Sequence, residues 1–245
     1  MIFDSHSFTF QAPASVAFAR RILIKPAAFA TLPHPITTSR EILAEVIAGI
    51  KQVTDADIIL LEGSQSGAAM HTIYQALGYD FPHISLLDVR DCTLVEVENP
   101  LPKPFALPNF WVPNIILSCD YLITVAPFKI VRDSGSFSIN NLLGLLPPAK
   151  YLEEITDFWK PWPRLGLHNV IADLYFTLPF DLGIVDGHRK LISATDPTSG
   201  EVEAYGKVFV GQPYEVDCEA SQAAGVDTGY LRLIEKAKRE AKSSL

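Results

Sequence analysis

The sequence predicts a single α/β domain over residues 1–245: a largely parallel sheet with helices on both faces and an antiparallel β excursion. Three observations predict it. The run Asp57-Ile58-Ile59-Leu60-Leu61-Glu62 is apolar throughout its middle, as a parallel strand covered on both faces must be. Strand-like and helix-like segments alternate from Arg21 to Leu87, an order that calls for right-handed crossovers between parallel strands. Polar side chains gather where the apolar runs end, and open α/β sheets bind ligands outside the carboxyl ends of their strands.

Taken in order, Pro13 to Arg20 reads as a short helix opened by proline. Arg21-Ile22-Leu23-Ile24-Lys25-Pro26 reads as a buried strand stopped by Pro26. Thr38-Ser39-Arg40-Glu41 carries the S/T-x-x-E capping pattern. Behind it Ile42, Leu43, Val46, Ile47 and Ile50 repeat at helical spacing, which predicts an amphipathic helix over 39–53. The strand 57–64 follows, then a helix from Gly67 to Leu77 closed by Gly78. His83 to Leu87 is a third strand. Thr93 to Glu98 alternates in polarity, a proline-rich connection follows, and Phe110-Trp111-Val112 and Ile115-Ile116-Leu117 resume β character. That is the antiparallel excursion, at about 93–117. The run from Asp120 ends on Lys129, a polar loop spans 130–137, and a short helical segment carries Asn140 and Asn141 before stopping at Gly144 and Pro147. Helices are predicted over 150–158 and 164–177. Between them Trp159-Lys160-Pro161-Trp162-Pro163 cannot be regular helix, and its two indole rings suit core packing better than a mobile lid. Asp181 to His188 and Lys207 to Gly211 are late strands. Tyr214 to Ala224 and Thr228 to Lys242 are closing helices, parted by Gly225.

Composition narrows the function. Hydrophobic residues make up 48% and charged residues 20%, a globular balance. The net charge of −8 argues against a basic face for nucleic acid and leaves room only for a local cationic pocket. No apolar run reaches membrane-spanning length, so no membrane partner is expected. Cys92, Cys119 and Cys218 form no CxxC pair, and an odd count without a secretory leader at Met1 to His6 fits a reducing, cytoplasmic setting.

Four apolar strands each end in polar groups: Lys25, Glu62 with Ser64, Lys129, and Asp186 with His188. Parallel strands bring their carboxyl ends to one edge, so these groups are expected to converge in one crevice. Two lysines there suit a small anionic molecule. Glu62, Lys129 and Asp186 are the candidate catalytic groups, a carboxylate serving as general base. Lys25, Ser64, Asn140, Asn141, His168 and His188 are the candidate binding groups, the asparagines through their amide hydrogen bonds. The competing reading of each strand end is a side chain that simply reaches water. For His168, with Ile171 and Tyr175 at helical spacing, it is a packed histidine. Asp186 and His188 share a strand face, a spacing that suits a metal, but the third ligand would have to come from Glu62 or His168; no metal and no cofactor are assigned. Gly63 to Gly67 is centred on Gln65 and is no nucleophile elbow. Gly200 to Lys207 has the wrong glycine spacing for a phosphate loop and is followed by Val208.

The ordered set Ile22-Leu23-Ile24-Lys25-Pro26, Glu62-Gly63-Ser64, Ile123 to Lys129, Asn141 to Pro147 with Lys150, His168 with Ile171-Ala172-Asp173-Leu174, Ile184-Val185-Asp186-Gly187 and Val216-Asp217 resembles the family called domain of unknown function 362. The resemblance runs from Ile22 to about Leu233. Many members carry a ferredoxin-like iron–sulfur module, so the resemblance implies redox work, here through a separate ferredoxin-like protein because this chain has no such module. The chain departs from the family pattern at three places. Ala27 replaces the asparagine after Lys-Pro, Ile130 and Val131 follow Lys129 where threonine and histidine are usual, and Asn140 replaces a lysine. Two function classes therefore stand: an enzyme acting on a small anionic metabolite, and a non-catalytic ligand-binding protein that has lost the family's chemistry.

Overall fold

The computed structural model describes residues 1–64, 67–151 and 165–243. The central sheet holds β1 (Ile2–Asp4), β2 (Arg21–Pro26), β3 (Asp57–Glu62), β4 (Ile84–Asp88), β7 (Tyr121–Val131), β8 (Ser134–Ser136), β9 (Leu182–Ser193) and β10 (Glu201–Gly211). Their order is β1-β10-β9-β7-β2-β3-β4, with β8 on β7. Strands β9, β7, β2, β3 and β4 run parallel, while β10, β1 and β8 pair antiparallel. This is the largely parallel α/β sheet that the alternation of segments predicts. A separate antiparallel pair, β5 (Leu94–Glu98) with β6 (Asn109–Pro113), is the excursion.

Strand alternation sends successive side chains to opposite faces. Ile22, Ile24, Leu60 and Ile123 pack under α1 (Arg40–Lys51) and α2 (Met70–Ala76). Leu23 and Leu122 face the other way, onto α4 (Leu167–Thr177) and α6 (Gly229–Ser243) and onto Phe110 and Val112 of the excursion. A smaller cluster of Phe128, Phe137 and Phe209 lies under α5 (Pro213–Ala224). A four-residue helix, α3 (Pro148–Tyr151), precedes the Trp159 to Pro163 segment, which with the expected helix 150–158 lies largely outside the described residues. Among the described residues no helix is long and apolar enough to cross a membrane.

Several local expectations shift. The cap of α1 is Ser39, whose Oγ accepts from Ile42 N at 3.2 Å. Thr38 instead accepts from Ala27 N at 2.8 Å and donates to Val125 O at 2.7 Å, tying the β2–α1 loop to the sheet. The stretch 130–137 is not a loop. Strand β7 runs on to Val131 and turns back into β8 through Arg132 and Asp133, both with positive φ (52° and 59°), the twist a two-residue hairpin needs. The asparagine segment is a 3-10 turn, Asn140–Leu145.

One irregularity places the site. Pro127 has no N–H to give the β7–β9 ladder. The register jumps there: Pro127 pairs with Asp186, but Phe128 pairs with Lys190. Gly187, His188 and Arg189 are left outside the ladder. Lys129 and Asp186 therefore lie within long strands, not at strand ends.

Candidate functional site

Lys25 sits near the end of β2, on the face of Leu23, and is 1% exposed. Its Nζ donates to Glu62 Oε2 at 2.8 Å, to Asn141 Oδ1 at 2.9 Å and to Pro26 O at 2.9 Å. An ammonium has three protons, and all three are matched. Glu62 is equally committed. Its Oε2 also accepts from Ala28 N at 2.8 Å, and its Oε1 accepts from Gly63 N at 2.9 Å. Burial pushes the Lys25 amine down, and the Glu62 carboxylate opposes that push. The Asn141 amide nitrogen donates to Lys25 O at 3.0 Å and Thr124 Oγ1 at 3.1 Å, which fixes the ring of contacts. Gly144 closes over the pair: a Cβ there would stand 2.2 Å from Glu62 Oε1 and 2.8 Å from Lys25 Nζ.

Lys25, Glu62 and Lys129 border one cavity, of about 40 Å³, with Asn140 and Ser136 on its wall. Lys129 is 5% exposed. Its Nζ donates to Ile36 O at 3.0 Å and lies 4.8 Å from the Phe29 ring centre. Among the described residues no carboxylate pairs with it. Burial first, and then the Lys25 ammonium, push the Lys129 amine from its ordinary 10.5 down to about 7. Asn140 donates to Ser136 Oγ at 2.6 Å.

Glu62, Lys25, Lys129, Asn140 and Asn141 are thus brought together. Asp186 and His188 are not with them. His188 borders a second recess, of about 480 Å³, lined also by His34 and Ser39, and Asp186 is buried behind these three side chains. There Ser39 Oγ donates to Asp186 Oδ2 at 2.5 Å, His188 Nδ1 stands 2.6 Å from Oδ1, and His34 Nδ1 stands 3.5 Å from Oδ2. Burial pushes the Asp186 carboxyl up, but the His188 contact, the nearby His34 and the Ser39 hydroxyl outweigh it and hold it below the usual range. The same contact raises the His188 imidazole against its burial. Ser64 is buried beyond Glu62 and does not border the first cavity. His168 stands far from both recesses, its ring 6.2 Å from Tyr230 at the α4–α6 contact.

Two motif aspartates serve the scaffold. Asp173 on α4 accepts from Phe105 N, Ala106 N and Leu107 N at 2.7 to 3.0 Å, fastening the proline-rich connection. Asp217 lies in the first turns of α5, where the sequence suggests a helix-dipole role, yet it accepts from Ser138 N, Ser138 Oγ, Ile139 N and Tyr230 OH. It thereby aims the Asn140–Asn141 turn at the cavity. Sequence reasoning missed Phe29 and Ile36 beside Lys129, and His34 and Ser39 beside Asp186. The one available signal was His34, a titratable residue in a loop otherwise built of Ala, Pro and Thr.

The chain belongs to the family described as Domain of unknown function (DUF362), whose model matches residues 22–221. No curated protein matches the sequence. Among solved structures, the lactate racemase apoprotein from Thermoanaerobacterium thermosaccharolyticum is similar, with a TM-score of 0.56 and 11% identity over 89% of this chain and 53% of that one. This chain spans about half the length of that protein, and at such identity the likeness is one of fold.

Proposed function

We propose that this member of the family binds a small anionic metabolite in the cavity between Lys25, Lys129 and Asn140, with Lys129 as the group that meets the anion. The observation that carries the reading is Lys129 itself: a buried amine, at a cavity wall, with a backbone carbonyl and an aromatic ring for company. Burying an ionisable amine without a counter-ion is costly, and a bound anion supplies the missing partner. Lys25 and Glu62 satisfy each other, so they contribute a fixed polar wall and not a second free charge. A volume of about 40 Å³ holds roughly three waters. That suits a carboxylate or phosphate head, with the rest of the molecule at the mouth.

The engagement of both Glu62 oxygens favours the non-catalytic alternative over an enzyme that uses Glu62 as base. A catalytic reading has to rest on Lys129. The lactate racemase likeness is compatible with a fold that takes small carboxylates and adds nothing finer.

The test is a melting-temperature titration of the chain and of Lys129→Met with propionate and with phosphate, at low and high salt. Binding stabilises by mass action. The unsubstituted chain should rise with the anion, less so at high salt because screening weakens the contact. Lys129→Met should not respond. Equal responses in both proteins would remove Lys129 from the site.

A further inference from the structure

We infer that Lys129 is an amine nucleophile that condenses with the carbonyl carbon of a small 2-oxo acid, forming a Schiff base in the cavity beside it. This rests on the anion-binding reading and names its substrate class. The argument begins with two lysines in unequal surroundings. Lys25 has three acceptors for three protons and is a fixed ammonium. Lys129 has one acceptor, the Ile36 carbonyl, and an aromatic ring. A protonated Lys129 has one carbonyl and one ring as partners and, among the described residues, no paired carboxylate, so its charge is poorly compensated. A neutral amine needs fewer acceptors and keeps a lone pair. The shortage of protein acceptors favours the neutral form, and the pinned Lys25 charge disfavours a second cation, an effect that Glu62 offsets in part. Burial and that charge bring the amine to about 7, so a large share is neutral near that pH. Desolvation and a neighbouring cation are the two means by which lysines are activated for carbonyl chemistry.

A 2-oxo acid matches both demands. Its carboxylate answers the Asn140 amide on the cavity wall, and its adjacent carbonyl answers the amine. The nitrogen lone pair attacks the carbonyl carbon, a C–N bond forms, and the C–O double bond opens to a carbinolamine as a proton passes from nitrogen to oxygen through solvent. The carbinolamine hydroxyl then takes one proton from solvent, the C–O bond breaks with loss of water, and a protonated C=N is left. One neutral amine, one carbonyl and one proton become one iminium and one water, with no oxidant or reductant.

The intact chain is incubated with pyruvate, and separately with glyoxylate, at pH values below and above 7, then treated with borohydride, digested and mapped. The expected result is a reduced secondary amine on Lys129, several-fold more abundant than on any other lysine and more abundant at the higher pH. Mapping in the unsubstituted chain removes any dependence on whether Lys129→Met folds. An adduct spread evenly over the lysines, or none with either acid, overturns the inference. Propionate has the carboxylate without the carbonyl and separates the two readings. A propionate-induced rise in melting temperature without any adduct leaves anion binding standing and this inference refuted. Neither rise nor adduct refutes both.

Discussion

Replacing Lys129 by methionine should stabilise the chain near neutral pH and cease to do so in alkali. The side chain is buried, and its amine falls from 10.5 unfolded to about 7 folded. A fall of that size corresponds to roughly 5 kcal/mol of preference for the neutral form. The folded pKa lies below the unfolded one, so between about 7 and 10.5 the unfolded chain binds more protons, and stability rises with pH across that window. Below the folded pKa the full penalty applies, and above 10.5 it is gone. At pH 7, where half of the folded amine is neutral, the penalty is about 4 kcal/mol. Methionine keeps most of the apolar stem but leaves the Ile36 carbonyl without its donor, a loss of about 1 to 2 kcal/mol. Lys129→Met should therefore be more stable by about 2 to 3 kcal/mol at pH 7 and equal or slightly less stable at pH 10.5. Urea denaturation of both proteins across this range gives the two stability curves. Parallel curves would show that Lys129 stays protonated in the fold, and would remove the case for a neutral amine.

Other substitutions probe the walls of the cavity. Gly144→Ala drives a Cβ into the Glu62 carboxylate and should cost about 3 kcal/mol or more in chemical denaturation, beyond ordinary overpacking because the ion pair must also move. Lys25→Met leaves Glu62 buried and unpaired, and should cost about 3 to 5 kcal/mol in urea denaturation at neutral pH; an unchanged stability would contradict the pairing. Asp217→Asn replaces an acceptor facing Ser138 or Ile139 N–H with a donor. It should cost about 2 to 4 kcal/mol and weaken anion stabilisation, because it loosens the turn that carries Asn140. Asp173→Ala releases three backbone donors of the proline-rich connection. Hydrogen exchange should speed up at Phe105 to Leu107 while the central strands stay protected.

The sequence alone determined the parallel core, the main helices such as α1 and the grouping of Lys25, Glu62, Lys129 and the two asparagines, because those follow from short-range patterns. The unbroken apolar run at Ile58 to Leu61, the helical spacing of Ile42 to Ile50, and the lysines and asparagines at the ends of apolar segments are each legible within a dozen residues. Only the tertiary structure decided what each polar group does, because its partners are remote in the chain. Lys25 and Lys129 look alike in sequence. Glu62 arrives from 37 positions away and Asn141 from 116 to saturate the first, while the second meets only a carbonyl and a ring. Asp186 looked like a member of the same crevice, but Pro127 breaks the ladder beside it and Ser39, 147 positions away, holds it buried away from that cavity. Asp173 stood in the family pattern without a role and Asp217 suggested a helix-dipole effect, and both became ties because backbone N–H groups from distant loops converge on them. Burial and hydrogen-bond matching are sums over such non-local neighbours, and no local pattern of residues encodes them.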